Sequence, residues 1–308
     1  MISMLRFILR RLLEAIPVLW VVATATFFLA RFAPGGPFDE ARPLPPVVKA
    51  QMDAHYGLDQ PLAVQYARFL GNLARGDLGP SYKYHGWSVS ELIADRIPVS
   101  LALGSGALAI ALLIGIPLGC VASIKPDSWL DRLPTGIATL GICLPTFVIG
   151  PLLVLVFSVW LGWFNASGWN SPSDFVLPSL TLGLVYAAPV ARLMRGSMLE
   201  VRTADYMKTA KAKGLSPARI YFVHGLRNAL IPVVSYIAPT AAGLISGSFV
   251  VESMFNIPGL GQFFVKAAFN RDFTMIVGTV MFYASVLVLL NLLGEILLAK
   301  VNPKAKIV

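Results

Sequence analysis

The sequence predicts an all-α integral membrane protein with six transmembrane helices. Three observations carry that expectation. The 308 residues are 56% hydrophobic and only 13% charged, against about 25% charged in an average soluble domain. The apolar residues gather in runs of about 20, the length a helix needs to cross a hydrocarbon core about 30 Å thick. From Leu133 to Ala191 the chain holds a single charged residue, Asp174, which leaves room for two spans and a loop.

The first apolar segment, Leu12–Ala30, follows Arg6, Arg10 and Arg11, an order that signal peptides share. Its length, and the poor cleavage sequence Arg31-Phe32-Ala33-Pro34, predict a retained helix. A long polar stretch, Arg31 to Pro98, comes next. Within it Leu62, Tyr66, Phe69 and Leu73 recur at helical spacing and predict one amphipathic helix. Ser88-Val89-Ser90-Glu91 has the form of a capping box and predicts the start of a second short helix, with Pro98 marking entry to the second span. The remaining segments are Val99–Ser123, Leu133–Leu161, Phe175–Met194, Ala229–Val251 and Phe273–Leu298. Pro17, Pro117, Pro145, Pro151, Pro178, Pro189 and Pro239 lie inside segments. Each removes a backbone donor and kinks its helix, as a moving pathway needs, although proline is also simply commoner in membrane helices.

The chain thus divides into an N-terminal segment with the first span (1–31), an outer loop with short helices (32–98), a core (99–301) and a tail (302–308). Six spans put both ends on one side. Sixteen of the 25 Lys and Arg residues fall on that side, eight of them between Arg192 and Arg227. Cytoplasmic loops carry such an excess, so both ends are expected in the cytoplasm and residues 32–98 outside. The net charge of +9 reads as this sidedness rather than as a nucleic-acid footprint. Trp160, Trp163 and Trp169 read as interfacial anchors. Asn165-Ala166-Ser167 fits a glycosylation pattern that arises readily by chance.

The most informative stretch lies between the fourth and fifth spans, within about 197–228. Asp205, Lys208, Thr209, Ala210 and Lys211 belong to an Ala- and Lys-rich run that favours helix up to Lys213. Gly214 suits the left-handed position that ends a helix. Ser216 offers an N-cap, with Pro217 at the first helical position of a second helix running toward Asn228. Such a basic pair can lie on an anionic leaflet, which its charge favours. It can equally dock into a partner, which its small residues Ala210, Ala212 and Gly214 favour.

This stretch resembles the cytoplasmic coupling loop of ABC importer permeases, whose pattern is Glu-Ala-Ala followed by a Gly. The matching positions are Lys208-Thr209-Ala210 and Gly214. Lys208 replaces the general Glu, and His224-Gly225-Leu226-Arg227 replaces the usual Ile-x-Leu-Pro; both departures are typical of the peptide and nickel branch. Phe7 to Pro17, Tyr56-Gly57-Leu58-Asp59-Gln60-Pro61, Gly76-Asp77-Leu78-Gly79-Pro80-Ser81, Pro258-Gly259-Leu260-Gly261 and Asn270-Arg271-Asp272 also resemble that branch. Lys83-Tyr84 and Ser88-Val89 look most like its oligopeptide B-type subunits.

The resemblance implies a type I importer fold, a five-helix core plus the N-terminal helix, in a bacterial inner membrane. It implies a second homologous permease, two cytoplasmic ATPases that bind ATP and Mg, and a periplasmic or lipid-anchored peptide-binding protein. Membrane lipids surround the complex. The loop residues Asp205 to Pro217 would sit in an ATPase cleft. Asp77, Pro258, Gly259, Arg271 and Asp272 are the implied candidates for contact with the binding protein. Oligopeptide is the implied cargo, with dipeptide, nickel and glutathione as sibling cargoes.

The residues themselves offer no catalytic or metal site. A P-loop needs a Gly-Lys pair, and the chain has none. His55, His85 and His224 are scattered, with His224 read as structural, and Cys120 and Cys143 sit singly in apolar runs. Glu14 is expected to pair with Arg10 and Arg11, and Glu295 with Lys300, at the membrane boundary. So few charges inside the spans weigh against a proton-driven carrier, the main reading from another class.

Overall fold

The computed structural model describes residues 2–33, 35–38, 45–245 and 249–301. Among the described residues five helices are long and apolar enough to cross a membrane: α1 (Ile2–Phe32), α4 (Val89–Ile124), α7 (Val176–Thr203), α10 (Leu226–Ile245) and α13 (Phe273–Val301). The expected sixth span, Leu133–Leu161, is broken. It forms α5 (Trp129–Cys143) and α6 (Thr146–Leu153), the latter continued by a π-helical run, Val154–Trp160. The two halves meet at 109°. Pro145 is the physical reason: the residue before a proline is pushed to extended backbone, and Leu144 lies at φ −88°, ψ 121°.

The capping box forms, but it opens a longer helix than the sequence suggested. Ser88 Oγ accepts from Glu91 N at 3.2 Å, and Glu91 Oε2 accepts from Ser88 N at 2.9 Å. The helix then runs 36 residues through Pro98 and Pro117, about 54 Å at 1.5 Å per residue. The expected short helix and the second span are therefore one element, α4, longer than a core of about 30 Å requires.

The amphipathic helix appears as α3 (Leu62–Ala74), preceded by α2 (Pro46–Tyr56). Phe69 and Leu73 pack on Ala23 of α1 and on Val277 and Met281 of α13. Beyond α10, residues 246–248 of the expected fifth span lie outside the described residues. The chain continues as α11 (Phe249–Met254) and α12 (Leu260–Phe269).

The most extensive packing joins α4 to α7. Gly115 and Gly119 permit it, since a Cβ there would stand 2.7 Å from Ala187 O and 2.4 Å from Ala191 O. One-turn spacing of small residues is how membrane helices bring backbones together without a hydrophobic drive between them. Leu103, Leu177, Leu182, Leu244 and Phe255 form the central core, and Cys120, Val190, Met194, Met198 and Val233 a second cluster toward the α7–α10 loop.

Arg11 Nη2 meets Glu295 Oε1 at 2.8 Å, so the start of α1 and the end of α13 share one face. Glu14 receives Arg10 and Arg11 at 2.9 and 3.1 Å. The Lys300 side chain, the sequence's choice for Glu295, lies outside the described residues, as does the tail 302–308.

Candidate functional site

The loop between α7 and α10 is built as its sequence suggests. Ala204 leaves helical geometry at ψ 147°, and α8 (Asp205–Ala212) follows. Lys208 Nζ pairs with Asp205 Oδ1 at 2.8 Å, and Thr209 Oγ1 donates to Asp205 O at 3.0 Å. Met207 and Ala210 are buried, whereas Lys208, Thr209 and Lys211 face outward. Gly214 takes φ +72°. Its N–H reaches Lys211 O at 3.0 Å and that of Leu215 reaches Ala210 O at 3.4 Å, the paired bonds of a Schellman stop. Ser216 Oγ then accepts from Arg219 N at 3.4 Å, and Pro217 opens α9 (Pro217–Arg219). A π-helical run, Ile220–Gly225, carries the chain into α10.

Three further contacts fix this loop to the spans, and none was visible in local spacing. The Tyr221 hydroxyl donates to Cys120 O at 2.7 Å and also meets Ser123 Oγ, both near the end of α4. Arg202 Nη1 donates to Ile124 O at 3.3 Å, a carbonyl in the last turn of α4, where a cation is favoured. Met207 and Met198 press against Gly225, whose Cβ would stand 3.3 and 3.6 Å from their methyl carbons. One turn above, α5 joins the same block. Arg195 of α7 grips Asp131 bidentately, Nε to Oδ1 at 2.6 Å and Nη2 to Oδ2 at 2.7 Å. Asp131 is 4% exposed and also accepts from Thr135 Oγ1 and Asp127 N. A buried carboxylate needs this degree of satisfaction.

The loop, the end of α4 and the start of α5 are therefore held together as one packed block. Its outward side presents Tyr206, Phe222 and Val223 at 41, 56 and 56% exposure, beside Lys208 and Lys211. His224 lies half-buried within the π-helical run. Among the described residues no cluster of His, Cys, Asp or Glu is suited to a metal ion.

The residues that the resemblance offered for contact with a binding protein divide by burial. Asp77 is exposed, its Oδ1 accepting from Gly79 N at 2.8 Å. Pro258 and Arg271 are half-buried. Gly259 is buried, its Cβ position 2.5 Å from the carboxyl group of Glu252. Asp272 is 1% exposed. It accepts from Tyr82 N, Thr274 Oγ1, Met275 N and Ser81 Oγ, so it caps α13 and anchors the loop before α4. Glu252, which the sequence did not single out, is fully buried. It accepts from Ser100 Oγ of α4 and from Gln262 N at the start of α12, each at 2.9 Å.

Residues 115–307 match the family described as binding-protein-dependent transport system inner membrane component, and residues 4–104 match its N-terminal family. The chain is 44% identical over 305 residues to the oligopeptide transport system permease protein OppB of Haemophilus influenzae, covering 98% of this chain and 100% of that one. It is 42% identical, with the same coverage, to OppB of Escherichia coli K12. It is 39% identical to the dipeptide transport system permease protein DppB of Bacillus subtilis, over 99% of both chains. Its fold matches a chain of the inward-facing MetNI methionine ABC transporter with a TM-score of 0.59 and 19% identity, over 68% of this chain and 96% of that one. The chain belongs to the family of binding-protein-dependent transport system inner membrane components, the multi-pass membrane subunits of ABC importers.

Proposed function

We propose that the chain is one of two membrane subunits of an oligopeptide importer, driven by two partner ATPases that dock on the α7–α10 loop. The carrying observation is Tyr221 on the Cys120 carbonyl at 2.7 Å, because it makes the loop and the end of α4 one mechanical unit. An ATPase closing on α8 moves that unit, and α4 carries the movement to the far side through its 36 residues. The exposed aromatic and basic residues of the loop suit a partner cleft of apolar floor and acidic rim. ATP and Mg belong to the partners, and peptide arrives from a binding protein at the outer loop, where Asp77, Pro258 and Arg271 remain accessible. Gly259 and Asp272 support that surface from within.

The cargo follows from full-length likeness to oligopeptide permeases above dipeptide ones. The test is affinity purification of the tagged chain from its own cells, with identification of the ligand on the co-purifying binding protein. Peptides of several residues support the reading. A chain that purifies without any ATPase, or a binding protein loaded with nickel or glutathione, contradicts it.

A further inference from the structure

The bend between α5 and α6 lies at mid-depth in the spans. Gly141, near the end of α5, packs on α7, its Cβ position 3.4 Å from Leu184 O. Leu184 stands midway along the apolar segment Phe175–Met194. At the other end of α5, Asp131 is level with Arg195, just past that segment and beside the α7–α10 loop. Helix α5 therefore climbs half the apolar thickness before the chain turns by 109°.

Helix α5 has three faces. Asp131, Pro134 and Ala138 are buried, and with Gly141 they turn toward α7. Leu133, Ile137, Leu140 and Leu144 form an exposed apolar stripe. Arg132, Gly136, Thr139 and Cys143 recur at helical spacing on the third face and are also exposed. At 3.6 residues per turn this face lies about 150° from the buried one. It is small and polar in a helix otherwise apolar. A Cβ at Gly136 would meet nothing within 4 Å.

That face ends on irregular backbone. Pro145 has no N–H to give Gly141 O, and the extended Leu144 turns the next N–H groups away from Ile142 O and Cys143 O. The main-chain bonds at the bend run from Leu144 N to Leu140 O at 3.0 Å, and from Val148 N and Ile149 N to Pro145 O at 2.9 and 3.2 Å. None of them meets those three carbonyls. Cys143 and Phe147, on either side of Pro145, are exposed. Non-helical backbone at this depth is tolerated only where protein buries it or water reaches it. Lipid cannot be its neighbour, and an apolar partner helix would leave the carbonyls as unmet as lipid does. Water meets them.

We infer that the Arg132, Gly136, Thr139 and Cys143 face and the bend at Pro145 line a water-filled passage for peptide, between this chain and the second membrane subunit. The inference rests on the importer reading given above and assigns it a wall. The apolar stripe of α5, Leu133 to Leu144, borders the passage. A wall of small side chains makes little choice among the side chains of a passing peptide, which suits a mixed oligopeptide cargo.

The test uses the assembled complex in vesicles, with its second membrane subunit, ATPases and binding protein. It is treated with a methanethiosulfonate that carries a fixed trimethylammonium charge. Val21→Cys in the same chain supplies a reference thiol, since Val21 lies midway along the first apolar segment, Leu12–Ala30, and is 55% exposed. Mass spectrometry of this chain's peptides gives the labelling rate of each thiol, at rest and with ATP and vanadate. Cys143 is expected to react at least about tenfold faster than the Val21→Cys thiol, because a thiol against hydrocarbon stays protonated and the thiolate is what reacts. Peptide uptake should fall as Cys143 is labelled, whereas treated and untreated Cys143→Ser should take up peptide at one rate. Equally slow labelling of both thiols in every state overturns the inference, because lipid or the partner then seals the bend. So does fast labelling of Cys143 that leaves uptake intact. No peptide uptake even before treatment counts against the oligopeptide reading instead, and the two labelling rates still decide whether water reaches the bend.

Discussion

Tyr221 and Cys120 lie 101 positions apart, and the tyrosine hydroxyl donates to the cysteine carbonyl at 2.7 Å. The bond joins the π-helical exit of the α7–α10 loop to the end of α4. Tyr221→Phe keeps the ring in its place and deletes this donor, at about 1 kcal/mol of stability. Transport should suffer more than folding. In vesicles holding the assembled complex, ATP hydrolysis should persist while peptide uptake per ATP falls about fivefold, the factor that the same 1 kcal/mol represents. Measuring both rates on one preparation separates this result from simple loss of protein.

Gly214→Val tests the corner itself. A Cβ at Gly214 meets nothing within 4 Å, so the cost arises from φ +72° alone. A β-branched residue there is strained by about 1–2 kcal/mol, whereas Asn is tolerated. Gly214→Val is expected to uncouple hydrolysis from uptake, and Gly214→Asn to transport nearly as the parent does. Parental uptake by the valine variant would remove the corner from the mechanism.

Arg195→Met leaves the Asp131 carboxylate buried without its partner. Loss of one member of such a pair costs about 3 kcal/mol, the low end because Arg195 is 30% exposed. Thermal unfolding of the detergent-solubilised chain should show a clear drop in midpoint. Adding Asp131→Asn should recover most of it, because the uncompensated charge is gone. Two equal, additive losses would show that the pair is not coupled.

Gly119→Leu probes the α4–α7 contact. Its Cβ would stand 2.4 Å from Ala191 O and 2.6 Å from Met194 Cβ, and backbone cannot yield as a flexible side chain can. Overpacking of this kind costs about 1–3 kcal/mol or more. Little of this variant should survive in membranes, as measured by immunoblot beside Gly136→Leu, whose Cβ would meet nothing within 4 Å.

What the sequence disclosed, and what it did not, follows from range. The Ser88 box, the Gly214 stop and the Ser216 cap are written within four residues, and all three form. Among the described residues five of the six apolar runs fall in helices long enough to span, but hydropathy carries no direction, so the 109° break after Cys143 stayed hidden behind an ordinary-looking Pro145. Val89 to Ile124 merged into one helix because Pro98 kinks a membrane helix more readily than it ends one. Asp131 and Arg195 are 64 positions apart, beyond any periodic pattern. Asp272 is a contact candidate through the resemblance of Asn270-Arg271-Asp272, which says nothing of burial, yet it is 1% exposed and is spent on the cap of α13.

The central claim is that ATP closure by partner chains, received at the α7–α10 loop, moves peptide through the spans. Its most direct measurement is uptake of labelled oligopeptide into vesicles holding the purified complex, with its binding protein and ATP placed on opposite sides. Uptake should require ATP, persist when a proton gradient is collapsed, and fall to background with Gly214→Val while hydrolysis continues. Uptake driven by a proton gradient without ATP, or by the chain alone, would contradict the account.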